Sequence, residues 1–308
     1  MAILITGVNG MIGYPLALEL SKEGRQIVGV DIKIPNDAKQ QSVEFLEADI
    51  TRVDLVNDII ASRNIDCIVH AGGISGPMLH KHDPYKVFDI NTAGTLNVIE
   101  AARKHGTKRL VFLSTFVAYG EQKDISLVDE ARKQTGDNFY AASKIASENI
   151  LRSYGANCEL ETISLRLGAV YGPRRTTDCL LHKMIRHSIN RVVLDLPYGK
   201  DWARPYVFID DVVEAVRLAV DAPNSMLNCD SYNISGGIWP TIDEIRGIIA
   251  DVSGFRNVTL QNGRTPNDYL IGPLSIEAAS RDLGYVPSYD LKRGIEVSVS
   301  YTHLTLPT

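Results

Sequence analysis

Short, unbroken apolar runs alternate with amphipathic stretches through the first half of the chain. Ala2-Ile3-Leu4-Ile5 is too short for a helix and lacks the alternation of a half-exposed strand, so it predicts a parallel strand buried on both faces. Leu16, Ala17 and Leu20 then recur at helical spacing until Gly24, and residues 26–30 supply a second strand ending at Asp31. Runs at 43–48, 65–70, 109–113 and 161–165 read as four more strands. Helices are expected at 53–62, as one long amphipathic segment at 84–105, and at 140–154. Strict alternation of strand and helix specifies an α/β fold with a doubly wound parallel sheet, in which ligands bind at the carboxyl ends of the strands.

Beyond Tyr171-Gly172-Pro173 the alternation breaks. Helices are predicted at 180–187, 212–220, 242–253 and 276–283, with a short strand at 258–260 and another at 232–234 that returns to the sheet. The organisation that follows is a dinucleotide-binding domain over 1–170, rejoined by 204–235. A smaller C-terminal substrate-binding lobe comes from 171–203 and 236–298. The stretch 299–308 does not end like a domain. Its Tyr-Thr-His-Leu-Thr-Leu-Pro-Thr resembles the translated read-through of a sequencing adaptor, so it is expected to be a non-native tail.

The first candidate chemistry lies where the first strand stops, in Thr6-Gly7-Val8-Asn9-Gly10-Met11-Ile12-Gly13. Between a strand and a helix, Gly7, Gly10 and Gly13 allow a tight turn, close backbone approach to a pyrophosphate and close helix-to-strand packing. Asp31, at the end of the second strand, is placed to accept hydrogen bonds from both adenosine ribose hydroxyls and to repel a 2′-phosphate. NAD is therefore the expected cofactor, with nearby Lys33 leaving room for NADP. The third strand delivers Asp49 and Ile50 to the same edge. Asp49 is a candidate acceptor for the adenine amino group, or the N-cap of the helix that follows. After the fourth strand, Ala71-Gly72-Gly73 keeps side chains away from the cofactor.

The second candidate is Tyr140 and Lys144, four residues apart and hence on one helix face. A free tyrosine has a pKa of about 10, so a neutral-pH base needs roughly 3 units of lowering, about 4 kcal/mol, and an ammonium one turn away is a plausible source. The fifth strand runs into Ser114-Thr115 and brings hydroxyls to the same edge. His70 reads as a packed strand-end histidine. His80 and His82 have no third ligand near in sequence, so no metal is expected.

Composition narrows the partners. The chain has 308 residues, 44% hydrophobic and 22% charged, with a net charge of -5 and no run of like charges, which argues against nucleic acid or a membrane surface. Cys67, Cys158, Cys179 and Cys229 are widely spaced and form neither a redox pair nor a zinc knuckle, which suits a reduced, cytoplasmic setting.

With the stretch from Thr6 to Gly13, Asp31, Asp49, Ser114-Thr115, Tyr140 and Lys144, the stretch from Arg166 to Pro173 and that from Arg204 to Asp211 in order, the chain resembles the extended short-chain dehydrogenases/reductases. Within them it is similar to the NAD-dependent epimerase/dehydratase family, over residues 1 to about 295. The resemblance implies a Rossmann domain with Tyr140 as general acid/base, Lys144 holding the nicotinamide ribose and lowering the tyrosine pKa, and Thr115 bonding the reacting hydroxyl. It places NAD against Gly7, Asn9, Gly10, Met11, Ile12, Gly13, Asp31, Asp49, Ile50, Ala71, Gly72, Gly73, Asn91, Tyr140 and Lys144. A sugar-derived substrate falls against Ser114, Thr115, Ala169 and Arg204. A homodimer through the helices at 84–105 and 140–154 is implied too.

Departures from the family pattern bear on substrate. Phe116-Val117 stands where 4,6-dehydratases carry Asp-Glu, which argues against loss of water. Ala169 stands where many nucleotide-sugar enzymes carry a substrate-binding asparagine. Arg204 matches a diphosphate-gripping arginine, with a salt bridge to Asp210 or Asp211 as the alternative, and Arg264 is a weaker match to a second phosphate ligand. Three readings stay open: an epimerase acting on a nucleotide sugar, a dehydrogenase of a free sugar or sugar acid, and a non-catalytic dinucleotide-sensing regulator.

Overall fold

A computed structural model of the chain describes residues 1–38, 42–177, 179–264 and 269–305. The apolar run at the start forms β1 (Ala2–Thr6), buried along its whole length, and leads through the glycine turn into α1 (Gly13–Lys22) and β2 (Gln26–Asp31). There follow β3 (Glu44–Glu47), α2 (Val53–Ala61), β4 (Cys67–His70), α3 (Pro84–Phe88), α4 (Gly94–Lys104), β5 (Arg109–Thr115), α5 (Phe139–Asn157) and β6 (Glu161–Leu167). Six of these strands and a later one, β10 (Ser231–Ile234), make a seven-stranded sheet in the order β10-β6-β5-β4-β1-β2-β3, every pair parallel. Strand alternation sends Ile3 and Ile5 into one core layer and Ala2 and Leu4 into the other, so both faces are covered by helices.

The remaining pieces lie outside the seven-stranded sheet. β7 (Ala169–Tyr171) pairs with β9 (Tyr206–Phe208), and β8 (Leu194–Leu196) pairs with β11 (Val258–Leu260). Helices α6 (Leu180–Ile189), α7 (Ile209–Asp221), α8 (Ile242–Ser253) and α9 (Glu277–Leu283) complete the predicted set. α8 opens with a capping box, Thr241 and Glu244 satisfying each other's backbone N–H groups.

Two elements differ from expectation. The helix expected at 84–105 is divided by a π-helical turn over Asp89–Ala93. There the Asn91 carbonyl accepts from the Thr95 hydroxyl at 2.5 Å and from the Ser147 hydroxyl at 2.8 Å, so side chains take over an acceptor of the helical ladder. The chain also continues into α10 (Leu291–Thr305), which the sequence reading did not anticipate. Leu291, Ile295 and Val299 lie one turn apart and enter the core. Between them Gly294 lets the helix approach Tyr171, whose hydroxyl a Cβ would overlap. Part of the expected tail, 299–305, is therefore helical, and 306–308 fall outside the described residues.

Candidate active site

The turn after β1 is shaped by what cannot fit there. Gly7 has φ +69°, and a Cβ on it would come within 2.7 Å of the Ala71 and Gly72 backbone. A Cβ on Gly13 would overlap the Gly7 carbonyl, and one on Gly10 would reach it at 3.0 Å. The turn therefore presents backbone rather than side chain at Gly7, Gly10 and Gly13, at the start of α1 where N–H groups favour an anion. Gly72 presses equally close to Thr6, whose hydroxyl accepts from Gly72 N–H at 3.1 Å. These glycines form a cradle that side chains would fill, and the dinucleotide expected from the sequence fits it.

Asp31 stands at the end of β2 beside this cradle, oriented by the N–H groups of Asn9 at 3.0 Å and Ile32 at 2.7 Å. Asp49 is exposed and takes the N–H and hydroxyl of Thr51, each at 2.9 Å. It does not cap α2, whose N-cap is Arg52. Ile50 is buried against Gly94. Asn91, expected at the cofactor, is buried and braces the loop after Gly73. Its amide accepts from Ile74 N–H at 2.8 Å and donates to the Ile74 carbonyl at 3.2 Å and the Ser143 hydroxyl at 3.0 Å, tying the loop after Gly73 to α5. An amide with both ends engaged on protein acts on the site by fixing that loop.

His70 is fully buried between the hydroxyls of Thr6 at 2.6 Å and Thr95 at 2.9 Å, and it stacks on Phe112. Burial, with Lys144 nearby, pushes its pKa down to about 3, which makes it a neutral packing residue. His80 and His82 are exposed, and no group of three metal-ligating side chains occurs among the described residues.

Tyr140 and Lys144 sit on the buried face of α5, which begins at Asn138; its side chain accepts from Ala141 N–H at 2.8 Å. The Tyr140 hydroxyl is turned toward Thr115, at the carboxyl end of β5, and the Gly76 backbone. Burial raises its pKa, while Thr115 and the Arg175 guanidinium act in the opposite direction. The ammonium of Lys144 donates to the Leu113 carbonyl at 2.8 Å and lies 4.5 Å from the centre of the Phe112 ring. Here the Lys144 ammonium is engaged by strand β5, and the Arg175 guanidinium acts to lower the phenol's pKa. Arg175 itself is held by the carbonyls of Val170 at 2.6 Å and Thr177 at 3.3 Å. Desolvation brings Lys144 down to about 8, opposed by Glu148.

Ser114, expected to meet substrate, donates its hydroxyl to Glu148, a carboxylate 1% exposed that also takes Gln134 at 2.8 Å and a forked contact from the buried Arg166, the shortest arm 2.8 Å. Strand alternation sends the side chains of Ser114 and Thr115 to opposite sides of the sheet.

On the substrate side, Ala169 opens β7, hydrogen-bonded through its N–H to the Pro205 carbonyl at 2.7 Å, and its side chain offers no polar atom. Arg204 lies over Trp202 at 4.4 Å and Phe116 at 5.9 Å. Of the acids considered as its partners, Asp211 accepts from the N–H and hydroxyl of Ser288 and from the Tyr289 N–H. Arg264 forms a two-armed ion pair with Glu121, 2.7 Å on one arm. Close by, Tyr269 accepts from the N–H groups of Asp137 and Asn138, each at 3.0 Å, and so holds the start of α5. Sequence reasoning missed Glu148, Arg166, Arg175 and Tyr269. Glu148 could have been found by extending the Tyr-Lys spacing one further turn; the other three meet the site only through tertiary contacts.

A glycine cradle at β1, a carboxylate at the end of β2 and a Thr-Tyr-Lys set above β5 define a dinucleotide-dependent enzyme of the extended short-chain dehydrogenase/reductase type. The model of the NAD dependent epimerase/dehydratase family matches residues 3–235, and the chain belongs to that family. It is 27% identical to the UDP-glucose 4-epimerase of Lacticaseibacillus casei, over 94% of this chain and 93% of that one. To the UDP-glucuronate 4-epimerase of Thermodesulfobacterium geofontis it is 25% identical, over 97% and 95%. Among solved structures, the UDP-glucose 4-epimerase of Thermus thermophilus in complex with NAD superposes with a TM-score of 0.88 at 26% identity, over 99% of this chain and all of the other.

Proposed function

We propose that the protein is a nucleotide-sugar epimerase that inverts a secondary carbinol, and that Thr115, Tyr140 and Lys144 carry the reaction. The observation behind this reading is that Tyr140 and Lys144 lie on the buried face of α5, with Thr115 at the carboxyl end of β5, the edge of the parallel sheet at which β1 also delivers the glycine cradle. Bound NAD supplies the acceptor of hydride and, on the return, its donor. Tyr140 takes the carbinol proton in the oxidative half and returns it in the reductive half, so no net base is consumed. Thr115 donates to or accepts from the reacting oxygen and keeps it in line with the phenol. Lys144 would hold the nicotinamide ribose, and Asp31 would hold the adenosine ribose hydroxyls. The names of the relatives above support a uridine-diphosphate sugar, and Arg204, backed by two aromatic rings, is the cation assigned to the diphosphate.

The dehydrogenase reading keeps two observations in its favour. Ala169 provides no amide for a nucleotide sugar, and Arg264 is already committed to Glu121. One experiment divides the readings. The purified protein with NAD is incubated separately with UDP-glucose, UDP-glucuronate, free galactose and galacturonate, with NADH absorbance and product isomers followed together. A 4-epimer appearing without net NADH is the expected result. Net NADH from a free sugar, with no isomer of either nucleotide sugar, would refute the epimerase.

A further inference from the structure

Behind the reacting groups lies a second layer that the proposed mechanism does not use. Leu113 and Ser114, successive residues of β5, receive successive turns of α5: the Leu113 carbonyl takes the Lys144 ammonium at 2.8 Å, and the Ser114 hydroxyl donates to Glu148. Lys144 and Glu148 are four residues apart on one face of a helix, and both are buried, at 7% and 1% exposure. Two buried opposite charges so placed compensate one another's loss of water only if each is held still.

Glu148 is held from three sides. Ser114 comes from β5, Gln134 at 2.8 Å from the loop before α5, and Arg166, 3% exposed, from β6. Arg166 is anchored in turn by the Tyr119 hydroxyl and the Glu130 carbonyl, each at 3.0 Å, and Tyr119 donates to Asn233 on β10 at 2.7 Å. A carboxylate that served only to neutralise Arg166 would not need a serine and a glutamine to aim it.

We propose that Glu148 is a positioning residue for the catalytic pair, its fixed carboxylate being the counter-charge that keeps the buried Lys144 in its ammonium form. The other groups around Lys144 do not supply that charge. His70 on β4 is neutral, Phe112 on β5 offers only a ring face, Tyr140 keeps its proton in this arrangement, and Arg166 on β6 is a cation. Glu148 is the charged group that acts on Lys144 against the cost of burial. The inference rests on the proposed role of Lys144 in the reaction, while its test does not depend on turnover.

Lys144 titrates at a lower pH when folded, about 8, than when unfolded. The unfolded chain therefore binds the extra proton above that pH, and the unfolding free energy gains a rising component as pH increases through the folded value. Unfolding by urea is measured from pH 6 to pH 10 in the wild type, Glu148→Gln and Lys144→Met, each as full-length protein. The expected result is a rise that is absent in Lys144→Met and that begins about one pH unit or more lower in Glu148→Gln than in the wild type. Should Glu148→Gln fail to fold with Arg166 left uncompensated, Glu148→Gln/Arg166→Met removes both charges and is expected to move the onset in the same direction. An onset unchanged in whichever variant folds, or a rise that persists in Lys144→Met, overturns the proposal. Where the sugar assay gives turnover, its high-pH limb should move down with the same variant while KM holds. If no sugar is turned over, the epimerase reading fails and the unfolding curves still decide the role of Glu148.

Discussion

Tyr140 and His70 illustrate how burial sets chemical character one side chain at a time. The phenol is raised by desolvation and drawn back by Thr115 and Arg175, so removing its oxygen leaves the cradle untouched while removing the proton carrier. Tyr140→Phe should lose about 10²- to 10⁴-fold in kcat with NAD affinity within a few-fold of wild type. Steady-state kinetics beside a fluorescence titration of NAD checks this, and full activity would rule out the assigned acid/base. His70 carries a stability prediction. Its folded pKa of about 3 lies below the ordinary value of 6.5, so the unfolded chain binds the proton first as pH falls. The stability His70 contributes is complete above about pH 6.5 and is lost toward pH 3, at about 1.4 kcal/mol per pH unit. Urea unfolding over that range should show a flatter dependence in His70→Asn; identical slopes would mean other groups carry the acid sensitivity. The glycine turn and the Tyr-Lys pair were legible as patterns because a turn and a helix face are local, whereas the contacts of Ser114 with Glu148 and of Asn91 with Ser143 were not, because each partner lies far along the chain.

Among the elements, α5 is the one whose placement governs the site, and its N-terminal end is held from two sides. Asn91 reaches it from the π-helical turn, and Tyr269 reaches its first residues from outside the sheet. Tyr269→Phe deletes the acceptor for the Asp137 and Asn138 N–H groups, which water can partly replace at this half-exposed position. A loss of about 1 kcal/mol in unfolding free energy is expected, together with a fall in kcat larger than any change in NAD affinity. A melting shift with kcat preserved would confine Tyr269 to stability. The strands and helices of the first half were readable from periodicity because parallel strands buried on two faces are unbroken apolar runs. The π-helical turn was not, since nothing in an apolar pattern reveals that hydroxyls of Thr95 and Ser147 will claim a backbone carbonyl. α10 was missed because a glycine inside a helix reads as a break; Gly294 is tolerated for its contact with Tyr171.

At the scale of the whole molecule, the sequence divides less cleanly than the fold does. The break after Tyr171-Gly172-Pro173 is visible as a loss of alternation, but strands of three residues, β7, β8, β9 and β11, are too short to carry a period, and their pairings join segments distant in the chain. β10 lies beside β6, yet the chain between them has already travelled out through α6 and β8 and returned along β9 and α7. A polypeptide leaving the ribosome therefore presents the flank of β6 bare, with Ser164 to Leu167 unzipped on one side, until Ser231–Ile234 has been synthesised and can dock. During that interval the nascent protein carries a sticky rim, and a message truncated between these two strands would yield a product prone to clumping.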